Sequence, residues 1–317
     1  MNAPLTASRL SVVAAALTDA DGRVLLAQRP STHHHAGLWE FPGGKREQHE
    51  SPLQALRREL HEELGIEVQS AEPLICIPFD LGQRPIELDV YQVSRFAGVP
   101  VALEHQALHW VERRALAQYP LPQADRPAAA ALSRPDRMAV TPEGIAAPSV
   151  AEGVIGLLRA GHRLIQLRCP QLDASAQREL AAALLPDVRK FAADLLLNGD
   201  IEGAERLGCG LHLRSAQLQQ TRPRLASGQI LSAACHDLAD LARAEALRVD
   251  CVVLGAVMST ATHPGRAALG WAGFAQLRAC SSLPIYAIGG LCADDLTTAR
   301  RHGAQGVAAI RAFWPLP

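Results

Sequence analysis

Glu59, Glu62 and Glu63 stand within one five-residue stretch, with Arg58 directly before them and Glu50 eight residues ahead of Arg58. On a helix of about 3.6 residues per turn, those three carboxylates converge on one face. Like charges at that spacing repel by roughly a few tenths of a kcal/mol per pair. A solvated acidic helix face tolerates this. A hard divalent cation turns it to use, because it takes carboxylate oxygens and leaves room for substrate phosphates. The Gly43-Gly44 turn just upstream, with Glu50 and Arg58, favours the cation and phosphate chemistry.

The segment has its own start and stop. Ser51 reads as the N-cap, Pro52 as the first helical residue, Gln54 as the partner that reaches back, and Gly65 as the terminator. Leu53, Leu56, Leu60 and Leu64 form an apolar stripe that docks the helix on a core.

Residues 44–66 resemble the Nudix box, G-x5-E-x7-R-E-U-x-E-E-x-G-U, at each fixed position: Gly44, Glu50, Arg58, Glu59, Leu60, Glu62, Glu63, Gly65 and Ile66. The resemblance implies a loop–helix–loop site that hydrolyses a nucleoside diphosphate linked to another moiety. By it, Glu59, Glu62, Glu63 and the Gly43 carbonyl bind Mg²⁺, with Mn²⁺ as a substitute. Arg58 orients a carboxylate and Glu50 supports the site. The metal neutralises diphosphate oxygens and lowers the pKa of water. Either Glu59 or Glu104 takes the proton from that water.

Around the box, LWEFPGGK, EHQALHW and LPQADRP resemble the MutT branch, whose members act on oxidised guanine nucleotides. The resemblance adds Glu104 to the metal ligands and Arg29 to the purine's surroundings. Phe41 becomes an apolar wall beside the phosphate loop, and Arg84 meets either phosphate or solvent. Trp39 and Trp110 read as core or as stacking surfaces. One departure stands out. The branch reads the purine with an asparagine, and this chain has Asp125, which when ionised only accepts hydrogen bonds. Asp125 reads equally as the N-cap of a helix over 126–133.

Beyond residue 136 the pattern changes. MAVT, HRLIQLRC, DLLLN, GLHL, ILSAAC, DCVVLG, PIYAIGG and GVAAIRAF are apolar runs separated by helical stretches. Runs that are apolar throughout suit parallel strands buried on both faces, hence a (β/α)8 barrel. The fold expected is therefore α/β in two domains: a Nudix α/β/α sandwich over 1–134 and a TIM-type barrel over 135–317. A net charge of −1 argues against duplex nucleic acid as a partner. Seven cysteines without paired spacing suit reduced thiols and a cytoplasmic protein. The N-terminal apolar run is too short to span a bilayer and reads as mature protein whose first strand covers about 9–17, so no membrane partner is expected. His33, His34 and His35 read as a loop.

The second block resembles thiamin-phosphate synthase and its relative TenI through IQLRC, LLLNGD, GLHL, AACH, VVLGAVMSTATHPG, AIGGL and GAQGVAAIRA. The resemblance implies an active site at the C-terminal strand ends, where Gly289, Gly290 and Arg311 cradle a phosphate. The polar set departs from the synthase pattern. Arg168 leads into Cys169-Pro170 without a lysine, the metal pair reads Asn198-Gly199-Asp200, the next aspartate is Gln217, and a loop lysine is His263. Arg168, His212, His236 and His263 remain as pocket or structural residues. The expectation is a Mg²⁺-dependent pyrophosphohydrolase of the 8-oxo-dGTP diphosphatase type carrying a degenerate barrel. The alternatives are a barrel that also joins thiamin precursors, or one that binds a phosphorylated precursor and regulates the hydrolase.

Overall fold

The computed structural model describes residues 9–29, 36–79, 85–104, 107–219, 223–259 and 267–314. Arg84, His263 and the three histidines at 33–35 lie outside the described residues. The chain divides into two compact units. The first runs to Arg134 and takes in Arg278–Ser282 and Arg300–Gly303; the second begins at Pro135 and holds the rest.

The first unit contains β1 (Leu10–Leu17), β2 (Val24–Gln28), β3 (Trp39–Glu40), β4 (Gly43–Lys45), α1 (Pro52–Leu64), β5 (Glu67–Phe79), β6 (Ile86–Ala97), β7 (Leu108–Val111) and α2 (Arg126–Ser133). They form a four-stranded sheet of order β4-β1-β6-β5 and a three-stranded sheet of order β3-β2-β7. The period of two along β1 fixes what lies on each face. Val13, Ala15 and Leu17 pack with Ala55, Leu56, Leu60 and Leu64 of α1. Ala14 and Ala16 pack instead in the cluster holding Ala128, Ala129, Ala131 and Leu132 of α2. The sheet is thus covered by one helix on each face, an α/β/α sandwich.

Helix α1 has the ends its sequence predicts. Ser51 Oγ accepts from the Gln54 amide at 3.3 Å, the Gln54 side chain accepts from the Ser51 amide at 2.8 Å, and Gly65 closes the helix at φ 68°. The apolar stripe differs in one member: Leu53, in the first turn, is 37% exposed, and Ala55 fills the buried face.

The second unit is a closed barrel of eight parallel strands. In order these are β8 (Arg137–Val140), β9 (Leu164–Leu167), β10 (Asp194–Asn198), β11 (Gly210–Leu213), β12 (Leu231–Cys235), β13 (Cys251–Gly255), β14 (Ile285–Ile288) and β15 (Gly306–Ala309). Helices α3 (Ala147–Arg159), α4 (Ala174–Lys190), α5 (Ile201–Leu207), α6 (Leu238–Ala246), α7 (Gly270–Arg278) and α8 (Leu296–Arg301) fall between strands. Alternate residues explain the unbroken apolar runs. Met138, Leu164, Leu196, Val253, Tyr286 and Ala308 form a cluster without helix residues, the interior. Their neighbours Ala139, Ile165, Leu197, Leu254 and Val307 pack with the helices. No helix of the described residues is long and apolar enough to cross a membrane.

Candidate functional site

Helix α1 and the β4 turn bring the acidic residues together through Arg58. Its Nε and Nη2 donate to the two oxygens of Glu50 at 2.8 and 3.0 Å, and Nη1 donates to Glu59 at 2.9 Å and Glu62 at 3.1 Å. Nη2 also reaches the Lys45 carbonyl at 3.1 Å, tying helix to turn. This fork holds the Glu50 carboxyl down to about 2, helped by the Glu47 amide, and Glu50 in return raises the Arg58 pKa.

Glu63 lies deeper. It accepts from the Gly43 amide at 3.1 Å, yet burial first, then repulsion from Glu104 and Glu59, pushes its carboxyl up to about 8. Burial likewise raises Glu59, against the pull of Arg58, and Glu62 and Glu104 push the same way. The charge of Glu104 therefore reaches both Glu59 and Glu63 beside the Gly43-Gly44 turn. Glu62 is turned outward, 54% exposed on Arg58. Among the described residues no three acidic, histidine or cysteine side chains already meet around one point. A divalent cation fits this donor set, since its charge offsets the repulsion and its preference is for carboxylate oxygen.

Gly44 fixes where Glu59 lies. A Cβ at residue 44 would sit 2.4 Å from the Glu59 Cδ, while the Gly44 backbone is one other residues adopt. Gly44→Ala should therefore displace the carboxyl without straining the chain. If Glu59 takes part in catalysis, turnover is expected to fall about 10- to 100-fold, the cost of misplacing such a group by about 1 Å. The melting temperature should move by only a few degrees. Steady-state rates beside a thermal melt check this, and wild-type turnover would refute it.

The same turn opens into a cleft of about 870 Å³ lined by Arg29, Glu40, Phe41, Glu63, Glu104 and Asp125. Phe41 is only 3% exposed and forms an apolar wall. Arg29 is paired with Glu40. Trp39 packs edge-on to Tyr119 at 5.9 Å and Trp110 joins the apolar layer under α1, so both are packing residues. Asp125 occupies the N-cap position of α2, but its side chain makes no capping bond. It accepts from the Phe41 amide instead and is 7% exposed. Burial, then repulsion by Glu40, pushes its carboxyl up to about 8 against the pull of Arg29. Asp125 thus holds its proton more tightly than an ordinary aspartate, and in its protonated form it offers a donor as well as an acceptor.

Glu40 went unnoticed in the sequence. It stands in the apolar run Leu38–Pro42, on a two-residue strand opposite Ala27 of β2. A lone charge in that run was the available signal, and its partner Arg29 is eleven residues away.

In the second unit a cavity of about 610 Å³ opens at the C-terminal strand ends, and Gly289, Gly290 and Arg311 line it. Both glycines have positive φ, 112° and 70°, and a Cβ at residue 289 would meet Ala256 at 2.6 Å. A divalent ion does not fit here as the synthase pattern implies. Asp200 takes Arg178 on both oxygens at 2.7 Å and caps the Gly203 amide at 3.0 Å. Gln217 bonds the Gly199 carbonyl at 2.9 Å.

Comparison with known proteins divides the chain at the same place. A family model described as NUDIX domain matches residues 13–131, and one described as thiamine monophosphate synthase matches 137–313. The chain is 49% identical over 115 residues to a CTP pyrophosphohydrolase of Escherichia coli (strain K12), covering 36% of this chain and 85% of that protein. It is 42% identical over 88 residues to an 8-oxo-dGTP diphosphatase of Proteus vulgaris, covering 28% and 79%. It is 33% identical over 165 residues to a thiamine-phosphate synthase of Thioalkalivibrio sulfidiphilus (strain HL-EbGR7), covering 51% and 78%.

Proposed function

We infer the function of this chain from its membership of two families: residues 13–131 make it a Nudix hydrolase, acting on phosphoric anhydride bonds, and residues 137–313 make it a member of the thiamine monophosphate synthase family. The reading we propose is a Mg²⁺-dependent nucleoside triphosphate pyrophosphohydrolase that releases monophosphate and pyrophosphate. It spans residues 1–134, with a barrel over 135–317 that binds a phosphorylated ligand rather than making thiamin phosphate. The intended setting is cytoplasmic removal of damaged nucleotides, with Mn²⁺ able to replace Mg²⁺.

The observation that carries the hydrolase is the cluster of Glu59, Glu63 and Glu104 beside the Gly43-Gly44 turn, where burial and the neighbouring glutamates push the Glu59 and Glu63 carboxyls up. Bound Mg²⁺ would supply charge neutralisation for the triphosphate. Arg58 holds Glu59 and Glu62 in place, and Glu50 holds Arg58. Glu59, over Gly44, and Glu104, at the cleft mouth, are the candidates to accept the proton of the attacking water. Phe41 excludes water from the base, and Asp125 meets its polar edge with a donor and an acceptor together.

Oxidised dGTP is the substrate of this reading. A second is CTP, favoured by the similarity to the bacterial CTP pyrophosphohydrolase. Assaying the full chain against 8-oxo-dGTP, dGTP, CTP and dCTP, with Mg²⁺ and with EDTA, tests both. Pyrophosphate release should need the metal and favour one of the two named nucleotides at least about tenfold in kcat/KM, the span of about 1.4 kcal/mol. Equal turnover of all four, or turnover in EDTA, would defeat the proposal. The barrel's role rests on the engaged Asp200 and on Gln217, which leave no carboxylate pair for a metal.

A further inference from the structure

The charged side chains that line the barrel cavity, among the described residues, are all cationic: Arg168, Arg214 and Arg311, with no aspartate or glutamate. Two of the three are placed in ways that packing alone does not explain.

Arg168 follows β9. Its Nη2 pairs with Glu143 at 3.1 Å, but its Nη1 is buried and has no hydrogen-bond partner. Buried donors are nearly always satisfied, so this bare nitrogen, on a side chain that lines the cavity, is an exception that internal bonding does not account for.

Arg214 follows β11 and lies over Gly199, which follows β10. A Cβ at residue 199 would stand 2.7 Å from the Arg214 Cζ, so the missing side chain makes the berth for the guanidinium. Gln217 fastens the two loops together, donating to the Gly199 carbonyl at 2.9 Å and accepting from the Arg214 amide at 3.0 Å. Asp200, next to that berth, does not neutralise Arg214, since both its oxygens are taken by Arg178 from α4 at 2.7 Å. A fixed positive charge therefore stands beside Asn198-Gly199-Asp200, where the carboxylate needed to hold a free cation is occupied. His212, buried and held at about 3 by that burial, bonds Ser232 at 3.1 Å and adds no charge.

We propose that the barrel binds the phosphoryl end of its ligand directly on the guanidinium pair Arg168 and Arg214, so that Arg214 does the work of a divalent cation and binding needs no metal. Arginine suits the task because its planar fork matches phosphate oxygens and its charge is permanent. The two arginines follow the strands on either side of β10, and the Gly289-Gly290 turn lines the same cavity. The proposal rests on the reading of the barrel as a phosphorylated-ligand module.

Inorganic pyrophosphate is the probe, titrated into the full chain in EDTA and again in Mg²⁺ at equal free pyrophosphate. Hydrogen exchange reports which unit is covered. In EDTA, peptides across 164–172 and 198–217 should gain protection while those across 40–64 do not, and Mg²⁺ should leave the barrel midpoint where it was. Arg214→Ala should raise that midpoint about tenfold or more, the scale of one charge-assisted hydrogen bond. Arg214→Lys, which keeps the charge and loses the fork, should fall between. Barrel protection that appears only with Mg²⁺, or a midpoint that Arg214→Ala leaves unchanged, would overturn the guanidinium proposal and spare the ligand module. No barrel protection under either condition would remove both.

Discussion

Replacing Glu59 by glutamine is expected to lower nucleotide hydrolysis about a thousandfold or more while leaving the first unit as stable as before. The rate term follows from charge. A carboxylate that helps to hold a divalent ion, or that takes a proton from water, contributes several kcal/mol to the transition state, and about 1.4 kcal/mol is tenfold in rate. The stability term follows from the surroundings. Glu59 is held up by burial and by the charges of Glu62 and Glu104, so removing its charge relieves a repulsion. The carboxamide oxygen still accepts from Arg58 Nη1, which now serves Glu59 at 2.9 Å. Pyrophosphate release at saturating Mg²⁺, together with a thermal melt, measures both. A variant that turns over within about fivefold of wild type would end the assignment of Glu59, since that gap is only about 1 kcal/mol.

Asp125→Asn should stabilise the first unit, and more so as the pH rises. In the folded protein the Asp125 carboxyl keeps its proton up to about 8, whereas an ordinary aspartate loses it near 3.8. Folding therefore takes up a proton between those values. The contribution is fully present below about pH 4 and is lost as the pH climbs through about 8. Asparagine still accepts from the Phe41 amide and has no proton to lose. The variant is expected to match wild type near pH 4 and to exceed it by about 1–3 kcal/mol near pH 8.5, allowing for relaxation around the buried site. Melts across that range decide it, and a difference independent of pH would show that Asp125 does not hold its proton. Nucleotide choice should follow the same titration. Near pH 6 carboxyl and carboxamide present the same donor and acceptor, so the ratio of 8-oxo-dGTP to dGTP turnover should agree. Above about pH 8 only the asparagine variant should keep its preference for the oxidised base.

Much of this architecture could be read from residue order because it rests on local rules. The capping box at Ser51–Gln54, the terminating Gly65 and the apolar stripe are contained within fifteen residues, and all reappear in α1 except that Ala55 takes the buried place expected of Leu53. The eight apolar runs became the eight barrel strands because a strand buried on both faces has no polar alternation to hide it. What escaped depends on partners far apart in the chain. Glu40 gains meaning only when β3 lies against β2 and brings Arg29 alongside. Asp200 looked like a metal residue until Arg178, 22 positions earlier on α4, closed on it. Asp125 could be read as a cap or as a base reader, and its buried side chain makes no capping bond.

The pairing of β15 with β8, Val307 to Arg137 and Ala308 to Met138, joins the last strand to the first. A ring has no outermost strand with bare amides and carbonyls on show, so this half of the protein offers another extended chain nothing to zip onto. Protection against edge-to-edge pairing is here a matter of topology, and it does not call for the charged or proline-bearing edge strands that open sheets use.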